Sequence, residues 1–337
     1  MSSKHERASH VSRILVLVCL LPAVFLPAGS VAQQPVKIPH IGFQLDAPVS
    51  TAAARIEAFR QGLRELGYIE GKNIIIDWRS AEGKPEHRSE IAAEFVRLKV
   101  DVIVTAGPTV TRSVKEATST IPIVMGQDTD PVGSGFVASL ARPGGNITGL
   151  SALSPEMTGK QLELLKETLP SLSRVSVFGT STQPGNSQVL KEAELAAGAL
   201  RVKLQYVDIM VPTDVENAFR AAIKGGAHAV LMIAGSSIVG DRRQDVVDLA
   251  AKSRLPVMYP FPSYVEAGGL MFYGVNLNEL DRRAATYIDK ILKGVKPADL
   301  PVEQPKKFEF IINLKSANQI GLTIPPNVSA RADRVIK

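Results

Sequence analysis

The sequence contains little cysteine, histidine or aromatic side chain, and each shortage excludes a structure or a chemistry. Cys19 is the single cysteine, so no disulfide can form within the chain. Beyond the N-terminal segment only His40, His87 and His228 remain, and they show no spacing typical of zinc ligands. A Gly-x-Ser-x-Gly elbow and a Walker phosphate loop are both absent. We therefore predict a protein that is not an enzyme, without catalytic residues, metal or cofactor.

Two further classes of function receive little support. Residues 133–138 fit a relaxed dinucleotide-binding fingerprint, but they do not directly follow a predicted strand, as that motif requires. The formal net charge is +6, and the basic residues are dispersed among acidic ones instead of forming a run. Nucleic-acid binding calls for a clustered basic face. We therefore expect neither a dehydrogenase nor a nucleic-acid partner.

Long apolar runs are also missing, and the one near the N-terminus is short. Three basic residues precede an apolar stretch at 14–26, and small residues at 30–32 follow it. Because a membrane-spanning helix needs about 20 apolar residues, this segment is typical of a signal peptide, which we predict at 1–32. The alternative is an uncleaved anchor. Cleavage after Ala32 predicts a soluble protein that is exported to the periplasm.

After the signal, short apolar segments alternate with longer amphipathic ones, a pattern that predicts parallel β-α-β units. Helical spacing is clear at 52–66 and 87–98, and Gly67 is placed to cap the first helix. A helix start at 154–156 opens a second set of alternating segments. The predicted strands are 37–43, 74–79, 102–106, 121–125 and 147–150, then 175–178, 204–209, 229–233, 257–259 and 270–273. Two open α/β units of similar size follow from this pattern.

The C-terminal part of the chain is less regular. Its predicted elements are a helix at 277–292, a proline-rich passage at 297–305, a strand at 308–312 and a helix at 314–320. Such a tail could return to the first lobe and then to the second, which would make a hinge of several crossings. A plain extension on one lobe is the alternative. The first interpretation gives one lobe at 37–150 plus 278–305 and the other at 151–277 plus 306–326.

Four phrases in a fixed order are similar to one protein family. They are Gln61-Gly-Leu-Arg-Glu-Leu-Gly-Tyr68 with Glu70-Gly-Lys-Asn-Ile74, Asp130-Pro-Val132, Ser139-Leu-Ala-Arg-Pro-Gly-Gly-Asn-Ile-Thr-Gly149, and Asp299-Leu-Pro-Val-Glu-Gln-Pro305 with Phe308-Glu-Phe-Ile-Ile-Asn-Leu314. The sequence resembles the tryptophan/tyrosine-type substrate-binding proteins of ABC transporters over nearly the whole mature chain. The resemblance implies a type I periplasmic-binding-protein fold, an α/β architecture of two Rossmann-like parallel-sheet lobes. Three crossings would join the lobes, with the ligand between them.

Candidate binding residues follow from the position of the strands. In open parallel sheets ligands bind beyond the carboxyl ends of the strands, so we take the polar and aromatic residues found there. The predicted ligand-binding residues are Gln44, Asp46, Gly107, Thr109, Gln127, Asp128, Thr180, Ser181, Ser236, Ser237, Phe261 and Asn276. Tyr264 and Tyr273 are further candidates for packing a flat ligand. Trp78 lies inside a strand and is assigned to the core, and the glycine-rich phrase 142–146 is assigned to a turn.

Two of these candidates carry a specific chemical hypothesis. Thr109 and the free N–H groups of the helix that follows could seat a ligand carboxylate, or Thr109 could be an ordinary N-cap. Asp128 or Asp130 could pair with a ligand ammonium, or either could be a turn-forming aspartate. Asp130 precedes a proline and looks more like a turn former, so we favour Asp128.

These observations lead to one functional prediction. We expect the periplasmic substrate-binding component of an ABC-type importer, a monomer that captures a small molecule and delivers it to an inner-membrane permease. The predicted ligand is an amino acid or a related small carboxylate. The alternative is a sensor subunit that reports its ligand to a membrane receptor, and the sequence barely separates the two.

Overall fold

The computed structural model describes residues 37–152, 154–233 and 242–337. The predicted signal peptide and the candidates Ser236 and Ser237 lie outside the described residues. The described chain forms two sheets, one of five strands and one of seven. Among its helices, none combines the length and the apolar character that crossing a bilayer requires.

The five-stranded sheet is wholly parallel, as predicted. Its strands are β1 His40–Leu45, β2 Ile75–Ser80, β3 Val102–Ala106, β4 Ile123–Asp128 and β5 Ile147–Ser151. A 3₁₀ turn at Val49–Ala52 precedes the helices α1 Ala53–Glu65, α2 Pro85–Leu98 and α3 Pro108–Ala117. The strand order is β2-β1-β3-β4-β5. All of β3 is buried, as expected of a central strand that is covered on both faces.

The second sheet has seven strands. The elements from the middle of the chain are α4 Ser154–Thr168, β6 Arg174–Gly179, α5 Asn186–Leu200, β7 Lys203–Asp208, α6 Asp214–Lys224, β8 Ala229–Met232, α7 Arg243–Ser253, β9 Val257–Tyr259, α8 Pro262–Glu266 and β10 Met271–Val275. The last elements are α9 Leu277–Leu292, a 3₁₀ turn at Pro297–Asp299, β11 Phe308–Asn313, α10 Leu314–Gln319, α11 Pro326–Ser329 and β12 Arg334–Ile336. The strand order is β12-β11-β10-β9-β8-β6-β7.

The second sheet is parallel, as predicted, except at one edge. Strand β11 pairs antiparallel with β10, and β12 pairs parallel with β11. The reason lies in the long excursion between β10 and β11, which brings the chain back to the sheet from the opposite end. The alternation of short apolar segments does not encode that direction.

The chain passes between the two sheets three times. Helix α9 follows β10 of the seven-stranded sheet but packs on α1 and β4 of the five-stranded half. The Thr148 hydroxyl donates to the Leu300 carbonyl at 2.6 Å, and the Ser151 N–H donates to the Glu303 carbonyl at 2.9 Å. Strand β11 then returns to the second sheet. The residue boundaries given above for the two lobes stay a prediction.

Each sheet carries a hydrophobic core on both of its faces. In the five-stranded half one core lies under α1 and α9 and another under α2 and α3. Phe43, Phe59 and Trp78 form an aromatic cluster with ring centroids 4.7 to 6.0 Å apart. Trp78 packs against this core, as predicted. Two further cores cover the faces of the seven-stranded sheet, so each half is a three-layer α/β/α unit.

Two glycines of the α1 region fix the position of that helix. The predicted C-cap is confirmed, since Gly67 has φ +87° and its N–H donates to the Arg64 carbonyl at 3.0 Å. Gly62 allows a close approach to α9, because a Cβ there would lie 2.3 Å from the Arg282 carbonyl oxygen. This approach brings Arg55 of α1 beside Asp281 of α9.

Strand β4 extends further than the apolar pattern predicted. It ends at Asp128 instead of Met125, because Ala106 still pairs with Gln127 and Asp128 pairs with Ser151. The register shifts between Met125 and Asp128. Backbone pairing therefore continues into polar residues that hydrophobicity assigned to a loop.

Candidate functional site

A cavity of about 1090 Å³ lies at the carboxyl ends of strands from both sheets. It is slightly larger than the upper end of the usual range for small-molecule pockets, roughly 300–1000 Å³. The predicted residues that line it are Asp46, Gly107, Thr109, Gln127, Asp128, Thr180, Phe261 and Asn276. Strand ends from the two sheets therefore converge on one cavity, which is the geometry expected of a site in open parallel sheets.

Gln44 and Ser181 do not line this cavity. Gln44 lies within β1, is fully buried, and its Nε2 donates to the Arg88 carbonyl at 2.8 Å. The Ser181 hydroxyl donates to Asp208 Oδ2 at 2.5 Å, and its N–H donates to Oδ1 at 2.8 Å. The Gln44 amide nitrogen and the Ser181 hydroxyl are thus paired within the protein, while Gln44 Oε1 is buried without a hydrogen-bond partner among the described residues. The position after a strand predicted the right end of the sheet, but not which side chains face the cavity.

The first wall of the cavity contains an ion pair between Asp46 and Arg88. Arg88 Nε donates to Asp46 Oδ1 at 2.5 Å, and both side chains are only 14% exposed. The Thr109 hydroxyl donates to Asp46 Oδ2 at 3.3 Å. The N-cap of α3 is Gly107, so the interpretation of Thr109 as an N-cap was wrong. Thr109 lies in the first helical turn and helps to orient Asp46.

A second ion pair on this wall holds Arg55 in place. Arg55 Nε donates to Asp281 Oδ2 at 2.5 Å, and Nη2 donates to Oδ1 at 3.2 Å. In the amide orientation that satisfies both groups, Gln127 Oε1 accepts from both Arg55 Nη atoms at 3.1 Å. Burial raises the pKa of Asp281, while the neighbouring Arg55 guanidinium opposes that rise. Arg55 is therefore held by both Asp281 and Gln127.

Among the buried acids of this wall that the structure describes, Asp128 is the one without such an ion pair. Its side chain lines the cavity, is 1% exposed, and neither carboxyl oxygen has a hydrogen-bond partner among the residues that the structure describes. Burial raises the pKa of Asp128 to about 8. The nearby Thr111 hydroxyl and Thr129 N–H oppose this rise in the pKa of Asp128, although neither has the geometry of a hydrogen bond to its oxygens. Asp130 instead accepts from the Gly133 N–H at 2.9 Å, which confirms its interpretation as a turn former.

The second wall is largely apolar. Thr180 lines it, but its hydroxyl donates to the Ile209 carbonyl at 2.9 Å. Asn276 caps α9 by accepting from the Asn278 N–H at 3.0 Å. The apolar residues that line this part of the cavity are Val189, Met210, Met232, Ile233 and Phe261. Tyr273, proposed above for a flat ligand, does not line the cavity and stacks on Phe308 with ring centroids 6.0 Å apart.

Several charged cavity residues were missed by the sequence reasoning. Arg55, Arg88 and Arg112 lie on helices, and Arg243 is the first residue of α7. Arg243 Cζ lies 5.8 Å from the Tyr264 ring centroid, and its Nε is buried without a hydrogen-bond partner among the described residues. A search of strand ends cannot find side chains that reach the cavity from helices. No local signal separates them from solvated helix charges.

The described residues offer no site for a metal. No group of three or more histidine, cysteine, aspartate or glutamate side chains is gathered there in a way that could hold an ion. The glycine-rich phrase 142–146 also lies outside the cavity, and Asn146 Nδ2 donates to the Ile121 carbonyl at 2.8 Å. This hydrogen bond ties the end of the phrase to the segment before β4, and Gly144 has a positive φ of +80°, which favours glycine.

Several known proteins are similar to this chain in sequence or fold. A conserved domain protein of Vibrio cholerae is 30% identical, with a TM-score of 0.84 over 89% of this chain and 100% of its own. A Streptococcus pneumonia ABC domain in complex with L-Trp is 24% identical, with a TM-score of 0.83 over the same shares. The tyrosine-binding protein of Clostridioides difficile is 29% identical over 76% of this chain and 73% of its own.

The family model described as ABC transporter substrate binding protein matches residues 48–336. The match runs from the 3₁₀ turn after β1 to the final strand, so it covers the cavity-lining residues other than Leu45, Asp46 and Ala47. The chain therefore belongs to the ABC transporter substrate-binding protein family.

Proposed function

We propose that this protein is the periplasmic binding component of an ABC importer and that it takes an amino acid, or a related small carboxylate, into the cavity between its two sheets. The observation that carries the proposal is the cavity of about 1090 Å³, which is lined by both halves and contains a buried acid without a hydrogen-bond partner among the described residues. A buried polar group without a partner is costly, so its presence in a cavity favours a ligand that completes it.

The class of ligand is supported by the chemistry of the two walls. Asp128 offers a carboxyl group, Arg243 offers a guanidinium, and the methionines with Phe261 offer apolar surface. An amino acid with an apolar or aromatic side chain presents all three complementary groups. The relatives that bind tyrosine and L-Trp support the same class.

Delivery to a permease requires that the ligand change the protein. A ligand that contacts both walls stabilises the closed arrangement only by its difference in affinity for the closed and open forms. Reversing a 1:99 population takes about 5.5 kcal/mol, and micromolar binding releases about 8 kcal/mol. Closure driven by a micromolar ligand is therefore energetically reachable. The small-residue site at 30–32 supports export, and the family supports a permease as partner.

The experiment is a ligand screen followed by a transport measurement. Thermal unfolding of the exported protein with amino acids, aromatic acids and nucleosides should give a rise in Tm for amino acids. Met157 lines the cavity, so Met157→Trp replaces its flexible thioether with a bulky indole ring and should reduce that rise. Ser181→Ala, outside the cavity, should not reduce it. Small-angle scattering should show a smaller radius of gyration with the bound amino acid.

Stabilisation by nucleosides alone would overturn the ligand class. The importer role is tested by uptake of the labelled amino acid in cells with and without the gene, where equal uptake would contradict it. Export is tested by the mass of the periplasmic protein, which should begin after Ala32.

A further inference from the structure

We propose that Asp128 receives a cationic nitrogen of the ligand in exchange for its own proton, so that the site selects amino compounds over bare carboxylates. The inference rests on the proposed function, because it concerns the ligand of the same cavity. It goes further by choosing between the two ligand classes and by making binding depend on pH.

The geometry around Asp128 supports this exchange. The carboxyl lies at the end of β4, 1% exposed, where it lines the cavity and both oxygens lack a partner among residues 37–152, 154–233 and 242–337. An ionised carboxylate in such a place would be costly, because desolvation penalises the charged form. The empty site therefore holds the carboxyl in its neutral form.

The charged groups of the neighbouring elements do not supply a counter-ion. Arg55 of α1 is occupied by Asp281 of α9, and Arg88 of α2 is occupied by Asp46. Asp130, on the turn after β4, raises the pKa of Asp128, while Arg112 of α3 lowers it.

Arg112 is exposed and does not neutralise a carboxyl that is wholly buried. Arg243 lies on α7 with its guanidinium over Tyr264 and lines the same cavity. The charge that would ionise Asp128 must therefore come with the ligand.

The exchange conserves charge and protons. An ammonium compound enters with its positive charge, the carboxyl releases one proton to the solvent, and a carboxylate–ammonium pair remains. The site is neutral before and after. An ammonium has three N–H donors for the two open oxygens, and such charge-assisted bonds are about twice as strong as neutral ones. A bare carboxylate would meet a single O–H donor and leave the other oxygen unpaired.

The test is calorimetric titration of the full exported protein with three matched probes. L-Tryptophan has both charged groups, tryptamine lacks the carboxylate, and indole-3-propionate lacks the ammonium. With the pKa of Asp128 near 8, binding of the first two should release about 0.9 proton at pH 7 and about 0.5 at pH 8. The number of protons follows from the heats in buffers with different ionisation enthalpies. Indole-3-propionate should bind at least about tenfold more weakly and release none.

The affinity for tryptophan should depend on pH through the same ionisation of Asp128. Because the ionised carboxyl is required, affinity for tryptophan should rise about tenfold from pH 6 to pH 7 and then level off above the pKa of Asp128. Asp128→Asn cannot ionise, so it should release no proton and bind tryptophan about 10- to 100-fold more weakly at pH 8. Asp130→Asn removes a charge from the same loop outside the cavity and should keep both the release and the affinity within about twofold.

Each outcome decides between the two proposals. Tryptophan binding without proton release, or unchanged binding by Asp128→Asn, overturns the exchange and leaves the proposed function standing. If none of the three probes binds, the exchange falls, whereas the proposed function falls only if no amino acid raises Tm in the ligand screen. Carbon-13 NMR of the aspartate carboxyls in the empty protein gives an independent check. Asp128 should titrate near pH 8, and titration near the ordinary value of about 4 would overturn the inference.

Discussion

The two walls of the cavity differ in how their polar groups are held. On the five-stranded side, Arg55 is paired with Asp281 and Arg88 with Asp46, whereas the buried carboxyl of Asp128 has no hydrogen-bond partner among the described residues. On the seven-stranded side, methionines and Phe261 present an apolar surface, and Arg243 lies over Tyr264. Under the proposed function, the first wall would contact the charged groups of the ligand and the second wall would cover its apolar part. Methionine suits the second task, because its flexible thioether adapts to irregular shapes.

The largest effect is expected from breaking the buried pair that holds the first wall. Asp281→Asn leaves the Arg55 guanidinium largely buried without its counter-ion. Loss of one partner from a buried pair costs about 3–5 kcal/mol, so the free energy of unfolding in a denaturant titration should fall by that amount. The control is Glu65→Gln, since Glu65 pairs with Arg282 across the same two helices at the exposed side. It should leave stability nearly unchanged, and equal losses in both variants would contradict the contrast between the two pairs.

Substitution of Asp128 should raise the free energy of unfolding instead of lowering it, because its buried carboxyl destabilises the empty protein. A carboxyl with its pKa raised in the folded state binds more protons than the unfolded chain, so stability is lost as pH rises from about 4 to about 8. Asp128→Asn removes this loss and should stabilise the empty protein by about 2–4 kcal/mol at pH 7. The gain should shrink to about 1–2 kcal/mol near pH 5. Denaturant titrations at several pH values measure it, and a gain independent of pH would refute the assignment.

Substitution of Arg243 tests whether the wall on the seven-stranded side contributes a charge to ligand binding. Its buried Nε has no partner among the described residues, so we expect it to donate to the ligand carboxylate. Hydrogen bonds to charged groups contribute about 1.5–3 kcal/mol, so Arg243→Gln should weaken tryptophan binding about 10- to 100-fold. Arg243→Lys keeps the charge without the planar fork and should recover part of the affinity. Tryptamine, which has no carboxylate, should bind both variants and the wild type alike.

Phe261 gives the smallest expected effect and separates an aromatic ligand from an aliphatic one. Pairs of aromatic rings contribute about 0.5–1.5 kcal/mol beyond burial, so Phe261→Ala should weaken tryptophan binding by about 2- to 10-fold. An aliphatic amino acid should lose less. Phe308→Ala, outside the cavity, is the control and should not change affinity. Equal losses for both amino acids would remove the case for aromatic stacking.

Much of the fold was predictable from local patterns. Continuous apolar strands such as β3 and the amphipathic helix α1 with its Gly67 cap carry their own signals, since burial and helix capping act on neighbouring residues. The end of β4 was missed, because backbone pairing with β3 and β5 continues beyond the last apolar residue. The strand β11 was predicted, but its antiparallel direction was not, because strand direction depends on the path of the chain between the sheets.

The site was predictable to a smaller extent. The strand-end rule located Asp128 and Gln127, since topology alone sends those positions to one end of a parallel sheet. It also selected Gln44 and Ser181, whose side chains donate hydrogen bonds to the Arg88 carbonyl and the Asp208 carboxylate instead of lining the cavity. Partner choice among polar groups depends on distances of a few ångströms between segments far apart in the chain.

The sequence by itself determined that this chain folds as two α/β units, because hydrophobic periodicity and turn residues act locally along the chain. The tertiary structure decided which acid remains without a partner. Asp46, Asp281 and Asp128 all lie at or near the same wall, but only the packing of α1, α2 and α9 brings arginines to the first two. The cost of a buried charge depends on its neighbours in space, so the chemistry of Asp128 emerged only with the fold.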